Sequence, residues 1–164
     1  MQRGTFTKIL VPVDGSRYSH NAAEYAVGIA KLTHAKVIAL HVVHLPPYAF
    51  TYSGSEGVSP VAIPTPLPLA LTEDEKKAAK KIVDDVKELG KNAGVEVETR
   101  ILERNPSVPD AIIQFAEENS VDLIVIGTKG KTAIKRFLLG SVTESVVHHA
   151  HCPVLVIREL QRTS

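Results

Sequence analysis

The chain has 164 residues, of which 44% are hydrophobic and 23% charged, and its formal net charge at pH 7 is +1. This composition is typical of a soluble globular protein and gives no general attraction toward nucleic acid or an anionic membrane. The length suits one domain over residues 1–164, and the single cysteine excludes an intramolecular disulfide framework. Because no signal-peptide pattern or membrane-length apolar run occurs, we expect a cytosolic protein.

Short apolar runs alternate along the chain with stretches of helical periodicity. The apolar runs predict strands at residues 8–13, 36–43, 95–102, 121–127 and 153–158. The alternation of apolar and polar residues in the third run indicates a less completely buried strand. The helical stretches are 18–32, 73–92, 109–118 and 141–150. Thr72 and Glu75 form a capping-box pattern before the second helix, and Ser107 is a candidate N-cap for the third.

The alternation of strands with helices predicts a parallel sheet, since a parallel connection requires a helix-sized crossover. We therefore predict an α/β fold with a doubly wound five-stranded parallel sheet and helices on both faces. Ligands of such sheets bind beyond the carboxyl ends of the strands, where the strand order reverses. The segments at these ends are Asp14-Gly15-Ser16, the residues from His44 onward, and Gly127-Thr128-Lys129-Gly130.

Residues 44–72 interrupt the pattern, because they hold six of the ten prolines. Proline lacks a backbone N–H, so this segment is predicted to be a long loop and neither a central strand nor a regular helix. Its place after the second strand allows it to cover a ligand as a lid. The alternative is a surface insertion with no role in binding.

Two glycine turns follow the fourth strand. Gly127 and Gly130 allow the backbone to turn sharply and approach a ligand closely, at a shorter spacing than in a P-loop. Nine residues further lies Gly140-Ser141, and Ser141 with Glu144 forms a capping-box pattern at the start of the last helix. A helix N-terminus offers N–H donors and a positive dipole end, which suit phosphate. The two turns together predict a nucleotide site.

The spacing G-x-x-G-(nine residues)-G-S over residues 127–141 resembles the signature of the ATP-binding branch of the universal stress protein family. The resemblance includes KILVPVDGS, ALHVV, VDLIVIGTKG and the closing HCPVLVIR, so it covers nearly the whole chain apart from residues 44–72. It implies a Rossmann-like fold of the adenine nucleotide alpha hydrolase type. It also implies a homodimer that pairs through the last strand, residues 153–158.

The same resemblance implies the residues of an adenine nucleotide site. Pro12, Val13 and Asp14 would contact the adenosine, with Asp14 on the ribose, and Val42 would border the adenine. The residues implied for the triphosphate are Gly127, Thr128, Gly130, Lys131, Gly140, Ser141, Val142 and Thr143. The implied ligand is ATP, with ADP or AMP as alternatives and Mg²⁺ or Mn²⁺ as an ion bridging the phosphates.

Several residues have a simpler interpretation. Asp14-Gly15-Ser16 is also a common turn followed by a helix cap, and the cations Lys129, Lys131, Lys135 and Arg136 are also typical of a solvated surface. The family commonly has a Gly-x-Pro turn before the third helix, whereas this chain has Arg104-Asn105-Pro106. Asn105 tolerates the left-handed conformation, so we expect the turn to persist.

The sequence lacks the motifs of other functional classes. His148, His149, His151 and Cys152 resemble zinc ligands, but histidines are common at helix carboxyl ends, and we predict no metal-binding or catalytic side chains. No nucleophile elbow or dinucleotide-binding motif occurs. We expect a nucleotide-dependent binding and regulatory module of the stress response, with ATP turnover below about 1 per second. The alternatives are a nucleotide hydrolase or phosphotransferase, and a nucleotide-free dimeric scaffold.

Overall fold

The structure is a computed structural model that describes residues 6–44, 48–53, 57, 61–66, 70–130 and 139–158. Its elements in chain order are β1 (Lys8–Pro12), α1 (Arg17–Thr33), β2 (Lys36–His44), β3 (Tyr48–Ser53), β4 (Val61–Pro66), α2 (Glu73–Ala93), β5 (Val97–Asn105), α3 (Val108–Glu118), β6 (Leu123–Gly127), α4 (Ser141–His149) and β7 (Val154–Ile157). No described helix is both long enough and apolar enough to cross a membrane.

Five strands form one parallel sheet in the order β5-β2-β1-β6-β7. The chain proceeds outward from β1 through β2 to β5 and then returns to the other side of β1 with β6. The strand order therefore reverses between β1 and β6, and the carboxyl ends of these two strands are the expected ligand position. The predicted doubly wound, five-stranded parallel sheet is confirmed.

Neighbouring residues of β1 pack against opposite helical layers. Ile9 and Val11 belong to the core formed with α1 and α2, whereas Leu10 belongs to the core formed with α3 and α4. All three side chains are fully buried, which explains why β1 is an uninterrupted apolar run. β5 lies at the sheet edge and is only partly buried, as its alternating sequence predicted.

All four predicted helix starts lie within one residue of the observed ones, but one of the predicted caps is wrong. The Thr72 hydroxyl accepts from the Glu75 N–H at 3.2 Å and the Glu75 carboxylate accepts from the Thr72 N–H at 2.8 Å, so the capping box of α2 is present. Ser107 caps α3. The capping box expected from Ser141 and Glu144 is absent from α4, whose N-cap is Gly140 and which has no side-chain cap. Because Ser141 is already helical, its hydroxyl lies one position too late to cap.

The insertion contains regular structure that the sequence did not predict. β3 and β4 form a two-stranded antiparallel hairpin that is separate from the parallel sheet, so the prediction of an irregular loop is wrong for these residues. The two prolines of β4, Pro64 and Pro66, are compatible with a strand because a two-stranded hairpin has only edge strands. Neither of these two strands joins the parallel sheet.

The turn before α3 also differs from expectation. The left-handed residue is Arg104, with a φ of 48°, whereas Asn105 has no positive φ. A non-glycine residue in this conformation costs about 1–2 kcal/mol. The strained residue of this turn is therefore an arginine and not the asparagine.

Two buried hydroxyls connect helices to the carboxyl ends of strands. Thr143 in the first turn of α4 is 3% exposed, and its Oγ1 donates to the Gly127 carbonyl at 2.7 Å. Ser19 in the first turn of α1 donates to the Ser16 carbonyl at 2.9 Å and accepts from the Asp14 N–H at 3.3 Å. Both bonds lie beside the position where the strand order reverses, so they fix the two helix starts that border it.

Helix α2 approaches β5 closely at Gly90. An added Cβ there would overlap a methyl group of Val97 and lie 3.0 Å from the Val95 carbonyl oxygen. We predict that Gly90→Ala lowers the free energy of unfolding by about 1–2 kcal/mol, because overpacking exceeds the gain in helix propensity. Gly28→Ala in α1 is the matched control, since an added Cβ meets nothing within 4 Å and should stabilise by about 0.5–1 kcal/mol. Urea denaturation measures both, and equal stabilisation would contradict this packing.

The Thr143 hydroxyl supplies a donor to a buried carbonyl. We predict that Thr143→Val, which keeps the side-chain shape, lowers the free energy of unfolding by about 1–3 kcal/mol because the Gly127 carbonyl is left without this donor. Thr33→Val is the control, because its hydroxyl donates to the part-buried Ile29 carbonyl within the last turn of α1. The control should change stability by less than about 0.5 kcal/mol. Thermal and urea unfolding of both variants provide the comparison.

Candidate functional site at the reversal of strand order

The carboxyl end of β1 extends one residue beyond the strand. Val13 donates its N–H to the Leu40 carbonyl at 2.8 Å, and its own carbonyl accepts from His41 Nδ1 at 2.7 Å. A carbonyl oxygen only accepts, so this contact places a proton on Nδ1. Pro12 and Val13 are both buried, and His41 secures the backbone from which Asp14 projects.

Asp14 begins a turn that also positions its carboxylate. Oδ1 accepts the Ser16 N–H at 2.9 Å, and Ser16 caps α1 by accepting the Ser19 N–H at 3.2 Å. Gly15 has a φ of 80°, which suits glycine at this bend. The turn-and-cap interpretation is therefore correct for this segment. It leaves Oδ2 facing the turn after β6, because a Cβ added to Gly130 would lie 2.6 Å from that oxygen.

The end of β6 is pressed against the first turn of α1. A Cβ added to Gly127 would lie 2.7 Å from the Tyr18 carbonyl oxygen, so a backbone contact requires glycine here. Thr128 then donates its N–H to the Ile157 carbonyl of β7 at 3.1 Å, which continues the sheet by one residue. The chain leaves the sheet at Lys129 with both neighbouring strands already fixed.

The two glycine turns lie side by side. Gly140 donates its N–H to the Thr128 carbonyl at 2.7 Å. A Cβ added to Gly140 would lie 3.4 Å from both the Thr128 oxygen and Lys129 Cα, and 3.8 Å from the Gly130 nitrogen. The backbone after β6 and the backbone before α4 are thus in van der Waals contact, with no side chain on either glycine to separate them.

The first turn of α4 presents backbone donors beside this contact. Among the described residues, no acceptor is found for the N–H groups of Ser141, Val142 and Thr143, and no side chain caps the helix. Such N–H groups and the helix dipole favour an anion. Ser141 is exposed, whereas the Val142 side chain packs on the core and that of Thr143 bonds to Gly127. Only Ser141 can therefore offer a hydroxyl outward.

Val42 lies on the far side of β1 from the glycine turns. It is 8% exposed and belongs to the core formed with α3 and α4. The pairing of β2 with β5 shifts register between Val42 and His44. Since β2 and β6 flank β1, two inter-strand spacings, about 10 Å, separate their ends. A ligand that reaches both Val42 and the turns must be elongated.

The structure brings most of the predicted site residues to the carboxyl ends of β1, β2 and β6, which form one rim of the sheet. Lys131 lies outside the described residues, as do Lys135 and Arg136. His41 and Ser19 were not predicted, although each is a polar residue within an apolar pattern. This signal could have identified them before the structure was known.

The histidine and cysteine cluster after α4 behaves as ordinary structure. His149 Nδ1 contacts the Ser145 carbonyl within the helix at 2.9 Å. Burial raises the pKa of the Cys152 thiol, so the thiol stays protonated at neutral pH. No group of three His, Cys, Asp or Glu side chains is arranged to hold a metal ion in the part of the chain that the structure describes.

Comparison with known proteins identifies the family. The sequence model of the universal stress protein family matches residues 5–158 of this chain. A universal stress protein of Methanocaldococcus jannaschii is 41% identical over 156 residues, covering 94% of this chain and 83% of the relative.

Solved structures share the fold. The universal stress protein UspA from Lactobacillus plantarum has a TM-score of 0.68 at 27% identity, covering 95% of this chain and 100% of that one. A universal stress protein from Archaeoglobus fulgidus, solved in complex with dAMP, has a TM-score of 0.65 at 24% identity, covering 94% and 99%. The chain thus belongs to the universal stress protein family.

Proposed function

We propose that this protein binds ATP at the rim between β1 and β6 and acts as a nucleotide-dependent binding module. The observation that carries the proposal is the contact of Gly140 with the Thr128–Gly130 turn beside the first turn of α4. There, the backbone at Gly130 lies beside that at Gly140, and neither glycine carries a side chain. Such an arrangement suits a polyanion that the backbone itself contacts.

The remaining site residues support an adenine nucleotide in particular. The Asp14 carboxylate, which is oriented by the Ser16 N–H and faces Gly130, would accept the ribose hydroxyls. Val42 would provide an apolar wall for the base. The dAMP complex of the Archaeoglobus fulgidus relative supports this class of ligand. ATP is favoured over AMP because two phosphate-binding turns suit more than one phosphate, with ADP as the alternative.

A divalent ion fits the proposed site as a bridge between phosphates. Mg²⁺ commonly retains several waters and takes ligands from substrate phosphates, so it does not require a cage of protein side chains. The exposed Ser141 hydroxyl at the start of α4 would offer such an ion an oxygen donor, and Mn²⁺ would suit the same donors.

The proposed role is regulatory. Occupancy of the rim would set the order of the insertion that follows β2, and thereby the choice of protein partner in a stress response. Hydrolysis, where present, would act as a slow timer. The single cysteine, with its protonated thiol, suits the reducing cytosol in which we place this function.

We also propose a homodimer that pairs through residues 153–158. β7 is an edge strand of the sheet, and the carbonyls of Pro153 and Ile157 accept from the N–H groups of Ile124 and Thr128 on its inner side. Because alternate residues of a strand bond to opposite neighbours, the N–H and C=O groups of Val154 and Val156 point to the open edge. There they can form hydrogen bonds with β7 of a second copy of the chain. Leu155, 38% exposed, and Val147 of α4, 43% exposed, provide apolar surface beside this edge.

ATP binding is tested at Gly140. We predict that calorimetric titration detects ATP binding by the wild-type chain and that Gly140→Val weakens it at least about tenfold, a loss of about 1.4 kcal/mol, because the larger side chain fills the gap between the turns. Gly140→Ala is the matched control. Its Cβ makes contacts of 3.4 Å and longer and its backbone φ of −64° suits alanine, so affinity should change less than about threefold.

Absence of binding heat with ATP, ADP and AMP in the wild-type chain would exclude the proposal. Equal ATP affinities of the valine variant and the wild type would show that the phosphates do not bind at this turn. Phosphate release measured in the same samples determines turnover. A rate above about 1 per second would favour the enzyme class over a binding module.

The dimer is tested at Leu155. We predict that Leu155→Lys converts a particle of twice the chain mass into one of a single chain mass in light scattering, because two lysines would then meet near the symmetry axis. Leu32→Lys on α1 is the control, since Leu32 is 84% exposed and distant in sequence from β7. The control should leave the mass unchanged, and a wild-type chain that is monomeric at micromolar concentration would refute pairing through β7.

A further inference from the structure

Arg104 occupies a bulge at the carboxyl end of β5. Val42 and His44 are two residues apart on β2, whereas their partners Leu102 and Asn105 are three residues apart on β5. The extra residue falls in the part of β5 where Arg104 adopts a φ of 48°. Bulges with a left-handed residue usually use glycine, so an arginine here calls for a compensating interaction.

The Arg104 side chain makes that interaction with the start of α2. Its Nε and Nη2 donate to the Ala70 carbonyl at 3.2 and 2.8 Å, and Nη2 also donates to Glu75 Oε2 at 3.1 Å. The side chain is 10% exposed although it belongs to an edge strand. The guanidinium fork therefore joins β5 to the chain just before α2.

The partner carboxylate is itself held in place. Glu75 Oε2 also accepts the Thr72 N–H at 2.8 Å in the capping box of α2. The bonds from Thr72, with a further contribution from the charge of Arg104, lower the pKa of Glu75, so the carboxylate is ionised at neutral pH. Arg104 thus contacts a fixed negative charge and a fixed carbonyl.

These contacts fasten one end of the insertion. The chain leaves β2 at His44, whose Nδ1 contacts the Asn105 carbonyl at 3.2 Å. It returns at Ala70, which is held by Arg104. Both ends of residues 45–69 are therefore attached to adjacent residues of β5, and the exit lies two residues from Val42, the proposed wall for the base.

We propose that Arg104 is a positioning residue that fastens the return of the 45–69 insertion beside the base end of the nucleotide site. Its bonds to Ala70 and Glu75 hold the start of α2, where the chain returns from the insertion, against the carboxyl end of β5. The consequence for ligand affinity rests on the proposed function. The fastening itself does not, since it consists of contacts within the chain.

The test is Arg104→Gly, which removes the side-chain bonds while glycine keeps the left-handed backbone without strain. We expect amide hydrogen exchange at residues 70–72, where the Thr72 N–H is bonded to Glu75, to accelerate at least about tenfold. Without the guanidinium that holds the Ala70 carbonyl and the Glu75 carboxylate, this segment should open more often. ATP affinity should fall about fivefold or more, whereas affinity for tripolyphosphate should change less than twofold, because the glycine turns are distant from Arg104. Thermal unfolding checks that the variant is folded.

Two further variants separate the contributions. Arg104→Lys retains the charge but cannot donate in a fork, so its exchange rate should lie between those of the wild type and the glycine variant. Arg100→Ala is the control on the same strand, because its exposed side chain pairs only with Thr99 and Glu98 among the described residues. It should alter neither exchange at residues 70–72 nor ATP affinity.

Unchanged exchange at residues 70–72 in Arg104→Gly would overturn the fastening role. Faster exchange with unchanged ATP affinity would overturn the positioning role. A wild-type chain that binds no nucleotide would end the proposed function, while the exchange measurement would still decide whether Arg104 holds the insertion.

Discussion

The hydrogen bond from the Gly140 N–H to the Thr128 carbonyl is the contact on which the rim depends. It joins the backbone that leaves β6 to the backbone that enters α4, although residues 131–138 lie between them in sequence. The Thr143 hydroxyl reinforces the same junction by donating to the Gly127 carbonyl. The helix terminus is therefore held at a fixed distance from the glycine turn, and its N–H groups are oriented before any ligand arrives. Such preorganisation reduces the ordering cost of binding.

Asp14 and the start of α1 complete this frame from the other side of the strand reversal. The Tyr18 carbonyl lies against Gly127, and the Asp14 carboxylate lies against Gly130. The absence of a Cβ at these two glycines thus has different consequences. At Gly127 it allows the protein to pack on itself, whereas at Gly130 it leaves room for a charged side chain. Only the second feature bears on the proposed ligand site.

The sheet and most helix boundaries could be predicted from sequence because burial dictates them. β1 has helices on both faces and must be apolar throughout, and the Thr72–Glu75 pattern marks a helix start through local hydrogen bonds alone. The Ser141–Glu144 pattern failed because tertiary contacts at Gly140 began the helix one residue earlier than the pattern requires. The hairpin was not predicted because a high proline content argues against central strands only. Edge strands tolerate proline, so the same composition does not exclude a two-stranded hairpin. The conformation of Arg104 depends on Ala70 and Glu75, more than 25 residues away, and no local pattern encodes it.

The rim is assembled from the two ends of the chain. Asp14 follows the first strand, whereas Gly127 to Thr143 belong to the last quarter of the sequence, and the pairing of β1 with β6 brings them together. An amino-terminal or carboxyl-terminal fragment would therefore hold half of the site. Any small molecule that engages both halves gains its full affinity only from the completed sheet, and above its Kd it stabilises that sheet by an amount that grows with the logarithm of its concentration. Occupancy in a cell would then report on the integrity of the whole fold as well as on the supply of the ligand.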